Sequence, residues 1–268
     1  MNGEMAQIIF LVSHGNACLH DPETLIADHS TRTVFQYVSS LDFTRYETSE
    51  DTTGQVVAGS ASQWFAFLRS IQASRLWNVS FEWSRSDIPE HVAVAFSGGV
   101  PSAIQADLPH GHELWVPHWK TGGPDKMPWM IEYRGHRIPK SLIADPLPMS
   151  VVINNLRKAV TRASEFSRRA EFNGSNWSDR FSQSLEMLDS QHPNAPYHPD
   201  LLPEEGYSRE SHQLLASAAE AFVFGGMGSW NDMGFGDPKT QNEYDRITSE
   251  LYAAVKCALI TASNSFFS

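Results

Sequence analysis

WNVSFEW, residues 77–83, alternates without a break: Trp77, Val79, Phe81 and Trp83 fall on one side, and Asn78, Ser80 and Glu82 on the other. That period of two predicts a half-buried strand with its aromatic side inward. Working outward, QIIFLV (7–12), VFQYV (34–38), VAVAF (92–96), HELWV (112–116) and WMIEY (129–133) read as further strands, with SGGVP (97–101) and KTGGPDKMP (120–128) as turns between them. One helix interrupts the series, in SASQWFAFLRSIQAS (60–74), where Trp64, Leu68 and Ile71 share a face. So few crossover helices predict a mostly antiparallel sheet.

Beyond ADPLPM (144–149) the period changes to that of a helix. Val152, Leu156, Ala159, Ala163, Phe166 and Ala170 recur at helical spacing behind a capping Ser150, and Asn173-Gly174 ends the run. Phe181, Leu185 and Leu188 mark a short second helix, and HPNAPYHPDLLPEEG (192–206) an irregular, proline-rich connection that includes His192 and His198. A third helix is expected over 208–224 and a fourth over 238–262, the latter burying Tyr244, Ile247, Leu251, Ala254 and Ala258. The expected fold class is α+β: a sheet-rich part over 1–145, mostly antiparallel, and about four helices over 150–268 packed against one face of that sheet, as a single domain spanning 1–268.

FVFGGMGSWNDMGF (222–235) joins the last two helices. Gly225 and Gly226 suit a left-handed helix cap, and Asp237-Pro238 supplies an N-cap and a proline at N1 for the next helix. The loop therefore reads as a helix–helix connection, with Trp230 packed beneath it and Asn231 or Asp232 closing an Asx-type turn.

With 41% apolar and 11% aromatic residues among 268, the chain has ample material for a core. There is no run of eighteen apolar residues, and MNGEMAQIIFLVSHG has no basic segment ahead of its short apolar stretch, so neither a membrane span nor a signal peptide is expected and the cytoplasm is the expected location. Two cysteines, Cys18 and Cys257, do not make a disulfide framework. Net charge is −11, with 16 acidic and 10 basic residues up to position 150 and 15 and 10 after it. Phosphate backbones are repelled by such a surface, whereas a basic protein is attracted.

Several short motifs touch on catalysis without completing it. Ser13-His14-Gly15 after a strand is similar to the opening of histidine phosphatases, but the arginine that holds the phosphoryl group is missing; no G-x-S-x-G elbow accompanies the His-Gly pair as in α/β-hydrolases. Cys18 is a candidate nucleophile beside His14 or His20, although a buried thiol at such a junction is commoner. VAVAFSGGVPSA resembles a pyrophosphate loop in which Pro101 has replaced the aspartate, and Pro109 cuts short any following helix. His110 and His112 would share one side of a strand, as metal ligands do, with Glu113 on the other; no third ligand stands at a recognisable spacing. The tryptophans of HELWVPHWK and PWMIEY read as core. Asp42, Glu47, Glu50 and Asp51 form one acidic stretch, and Asp200, Glu204, Glu205 and Glu210 another.

FGGMGSWNDMGF ahead of a terminal helix, together with the strand-then-HGN start, resembles a family of polymorphic-toxin immunity proteins encoded beside nuclease toxins of the restriction-endonuclease class, including type VI secretion effectors. The resemblance implies a cytoplasmic protein that binds one cognate toxin and blocks its active site or DNA groove, with no catalytic residue, metal or cofactor and no binding of nucleic acid or membrane. The partner-facing residues expected on this reading are the two acidic stretches together with Trp230 and Asp232. The alternative is a hydrolase or metal-dependent enzyme built on the His14/Cys18 or His110/His112 region.

Overall fold

The computed structural model describes the chain except at positions 22, 25–31, 48–52, 82–87, 98–101, 144, 170–175, 226 and 268. Its elements in chain order are α1 (Gly3–His20), β1 (Val38–Arg45), β2 (Gln55–Ala58), α2 (Ala61–Ser70), β3 (Arg75–Ser80), α3 (Glu90–Ser97), β4 (Ser102–Leu108), β5 (Gly111–Thr121), β6 (Trp129–Ile138), α4 (Met149–Ser167), α5 (Trp177–Met187), α6 (Arg209–Glu220) and α7 (Pro238–Asn264). The fold is α+β, and the described residues form a six-stranded mixed sheet ordered β2-β1-β6-β5-β4-β3 and seven α-helices. Every neighbouring strand pair is antiparallel except β1 with β6, which run parallel.

Two expected strands are helices. QIIFLV lies inside α1, whose residues from Met5 to Cys18 are buried without a gap. A helix enclosed on all sides has no polar face, so its apolar run carries no period of 3.6 and cannot be told from a buried strand by pattern. VAVAF lies in α3, a helix of eight residues. VFQYV is also shifted: Thr33–Phe35 form a 3₁₀ turn and the strand starts only at Val38. The helix expected behind Ser150 begins at Met149, with Pro148 rather than Ser150 at the cap position. Its expected stop, Asn173-Gly174, lies outside the described residues, as do Glu82 and Trp83 of the opening stretch.

α1 packs against β3, β4, α2 and α7, while α4 to α7 pack on one another and meet α1 and the sheet chiefly through α7, rather than all lying on the sheet as expected. One continuous apolar core runs from Phe43 and Trp115 on the sheet and Trp64 of α2 through α1 to Phe181 and Trp230 in the helical part. The opposite face of the sheet carries a smaller cluster of Val79, Ala103 and Leu114, flanked by Trp77 and Phe81. Thus β3 is covered on both sides, and it is the side read as polar that meets the helices: Leu76 and Asn78 are fully buried there.

This inversion has a cause in hydrogen bonding. β3 is an edge strand, and its outward backbone groups need partners. The Asn16 side chain of α1 supplies both at Leu76, accepting from the backbone N–H at 2.7 Å and donating to the carbonyl at 2.9 Å. Asn264, at the end of α7, does the same two residues on, at Asn78, with distances of 2.7 and 2.9 Å. The two asparagines act as a substitute strand. Gly15 allows the close approach: a Cβ there would lie 2.4 Å from Leu76 Cδ1 and 2.8 Å from Phe65 Cε1. Asn16→Ala, which strands a buried donor and acceptor together, is expected to lower unfolding free energy by about 2–3 kcal/mol in urea titration. An unchanged midpoint would mean that Asn16 does not tie the edge.

Candidate partner-binding surface

The loop between α6 and α7 is held by side chains of its own sequence. α6 stops at Glu220, and Ala221 keeps right-handed backbone angles. The left-handed glycine is Gly228, at φ +81°, and not the expected Gly225; Gly226 lies outside the described residues. Asn231 Oδ1 accepts from the Gly225 N–H at 3.0 Å and from the Ser229 hydroxyl, and its Nδ2 donates to the His91 carbonyl of α3 at 3.0 Å. Asp232 Oδ2 accepts from the Gly228 N–H at 2.8 Å. Both side chains close the turn, but they do so by reaching back six and four residues, so the expected Asx-type turn, which bonds the backbone two residues on, is not what forms.

Beneath this turn Trp230 is fully buried, its ring among Phe181, Tyr244, Trp177 and Phe166, and its indole N–H donating to Thr248 at 2.9 Å. Trp230 therefore supports the loop from below and presents no surface of its own. What the loop presents is Met227, 98% exposed, with the exposed Asp232 close behind in sequence. At the far end Asp237 caps α7 by accepting from the Thr240 N–H, and Pro238 takes the first helical position, as expected. Met227 was not singled out from sequence. Its neighbours, glycines and polar residues, were the available signal that it has nothing local to pack on.

The acidic residues do not form one patch. Asp42 is in β1, not in a loop; it alternates with the buried Leu41 and Phe43 and points away from the helices, beside His118, Lys120 and Glu132. Glu47 is exposed, and Glu50 and Asp51 lie outside the described residues. Asp200 is on the helical side, where its carboxylate accepts from Thr33 at 2.6 Å and pairs with Arg32 at 3.8 Å, so much of its charge is spent inside the fold. Glu204, Glu205 and Glu210 are exposed.

The residues of the catalytic alternative sit in α1 and in the β4–β5 hairpin. His14 is buried, stacked on Phe10 at 4.1 Å, with its Nε2 2.9 Å from the Asp200 carbonyl; burial lowers its pKa to about 4. With neutral imidazole, that Nε2 is the donor. Burial likewise pushes the Cys18 thiol up to about 11, opposite to the shift that activates a nucleophile. His110 is in the hairpin turn, and His112 Nδ1 bonds Asp107 Oδ1 at 2.8 Å. Among the described residues no group of three or more His, Cys, Asp or Glu side chains gathers in a way that could hold a metal ion. No helix among them is long and apolar enough to cross a membrane.

Comparison of the chain with protein-family models, with curated proteins and with solved structures gives no match.

Proposed function

We propose that this chain is an immunity protein, which binds a cognate nuclease-class toxin in the cytoplasm and occludes its active site or DNA groove. The observation that carries this reading is the 225–232 turn, where five hydrogen-bonding or packing groups hold a loop whose outermost residue is a fully solvated methionine. Ordering a loop costs conformational entropy, and here the ordered loop holds an apolar side chain where a partner can reach it. Binding to a partner recovers that cost, since a preorganised anchor loses little freedom on contact. The net charge of −11 steers the protein toward the basic surface that a nuclease needs for DNA, and the exposed Glu204, Glu205 and Glu210 add to that field locally.

The test is co-expression with the toxin encoded beside this gene, paired with binding measured on purified proteins. The chain is expected to restore growth. Met227→Asp is expected to weaken binding by about tenfold or more while leaving the melting temperature unchanged. Charge reversal at Glu204, Glu205 and Glu210 is expected to slow association and flatten its salt dependence. Failure to protect, or full protection and wild-type binding by both variants, would remove this reading.

A further inference from the structure

A cavity of about 510 Å³ opens between the first turn of α1, the segment leading into β1, and the ends of β5 and β6. That volume is in the range of sites that enclose a small organic ligand. Its walls include Gly3, Glu4 and Gln7 of α1, Tyr37, Trp119 of β5 and Trp129 of β6. The two indoles meet edge to face at 76° with centroids 5.6 Å apart. Tyr37 and Trp129 are 58% and 38% exposed, so the aromatic wall continues to the mouth.

The polar groups in this wall are mostly acceptors. Gln7 is 1% exposed; its Nε2 donates to the Val34 carbonyl, which leaves the buried Oε1 without a partner. The Glu4 carboxyl takes one backbone N–H, from Ser102. His198 gives its Nδ1 to Thr33, and burial lowers its pKa, so it adds no positive charge. Among the buried side-chain atoms of these described residues, the Trp119 indole N–H is a donor without an acceptor. Aromatic rings, a carboxylate and an orphan carbonyl together are complementary to an organic cation, whose charge is attracted by the ring quadrupoles as well as by the acid.

We propose that this cavity is a binding site for an alkylammonium group, seated against the Trp119–Trp129 pair with the Glu4 carboxylate as its counter-ion. The Trp119 N–H is then placed to meet an oxygen carried by the same ligand. Desolvation raises the Glu4 carboxyl to about 7, so the site without a cation holds its acid close to neutrality and an entering ammonium group keeps it ionised. The partial positive charge at the amino end of α1 favours the same ionised form. The proposal does not depend on the immunity reading, because it concerns a different part of the surface and a free small molecule is sufficient to test it.

Calorimetric titration of the full chain decides it, using choline and its uncharged isostere 3,3-dimethylbutan-1-ol. Choline is expected to bind saturably, and the isostere about tenfold more weakly or worse, since cation–π and ionic attraction are lost while shape is kept. Glu4→Gln is expected to lose about tenfold in choline affinity. Gly3→Leu tests the cavity without touching the acid. A Cβ at this exposed glycine sits 3.5 Å from the Trp119 ring, an ordinary contact, so the larger side chain crowds the mouth and leaves the core alone. Both variants are to be checked for wild-type melting. A peptide bearing trimethyl-lysine, compared with its acetyl-lysine counterpart, locates the source: tight binding of the methylated peptide alone assigns the cation to a protein, and comparable binding of choline assigns it to a free molecule. Equal affinity for choline and the isostere, wild-type affinity in Glu4→Gln, or no binding of any ammonium probe at millimolar concentration would overturn the proposal.

Discussion

Trp230→Ala is expected to cost about 3–5 kcal/mol of unfolding free energy and to abolish partner binding with it. The indole is fully buried between α4, α5 and α7, with ring centroids at 5.1 Å (Phe181), 5.7 Å (Tyr244), 5.9 Å (Trp177) and 6.4 Å (Phe166). Removing it opens a cavity that four rigid rings cannot close, and it leaves the Thr248 hydroxyl, also fully buried, without its donor. The bond from Tyr244 to the backbone carbonyl of the same residue survives the substitution, but the Tyr244 ring loses the indole it packs on. Had Trp230 been a surface contact, the same substitution would leave the melting temperature unchanged and alter affinity alone. Chemical denaturation of the variant distinguishes the two, and an effect below about 1 kcal/mol would refute the buried placement.

Arg45→Met is expected to cost about 3 kcal/mol, far above the 0–1 kcal/mol typical of exposed ion pairs. Its partner Glu113 is fully buried under α2, and Arg45 reaches across β6 to it, with Nε 2.8 Å and Nη2 2.5 Å from the same oxygen, Oε1. The other oxygen, Oε2, is buried with no hydrogen bond, so the carboxylate depends on this one guanidinium for its charge. Arg45 keeps 31% of its side chain exposed, which limits its own desolvation cost; the loss on substitution is that of an abandoned buried anion. The double variant Arg45→Met/Glu113→Leu is therefore expected to recover most of the stability. If it is no better than Arg45→Met alone, the pair is not the cause.

Local sequence was a good guide where one face of an element meets solvent. α2, α4, α5 and α7 show their buried residues at helical spacing, and β5 and β6 carry turns at both ends, so each was legible. The cap at Asp237 was legible too, because a capping side chain acts within three residues of itself. α1 was not, since burial on every side removes the polar face that gives a helix its signature. The same loss hid the purpose of SHGN: in place of a catalytic turn, Ser13 donates to the Leu201 carbonyl at 2.6 Å, His14 donates to that of Asp200, Gly15 makes room, and Asn16 ties the sheet edge.

The candidate sites divide in the same way. The loop at 222–235 was recognisable as a corner, but which residue it buries and which it offers depended on α4 and α5, whose rings enclose Trp230. The Glu4 cavity had no sequence signal at all, because Glu4, Tyr37, Trp119 and Trp129 are brought together only when α1 lies across the sheet.

By itself, then, the order of residues determined the α+β class, the places of α2 and of the four C-terminal helices, the acidic balance and the cap at Asp237, while β2 and β4 were not expected as strands. The tertiary structure alone decided that the apolar N-terminal run is a central helix, that an asparagine face of β3 is interior, and that Met227 rather than Trp230 faces solvent. The physical reason is that these outcomes rest on partners in other elements, 60 and 186 residues away for Asn16 at Leu76 and Asn264 at Asn78, and no local pattern encodes what such a group will supply.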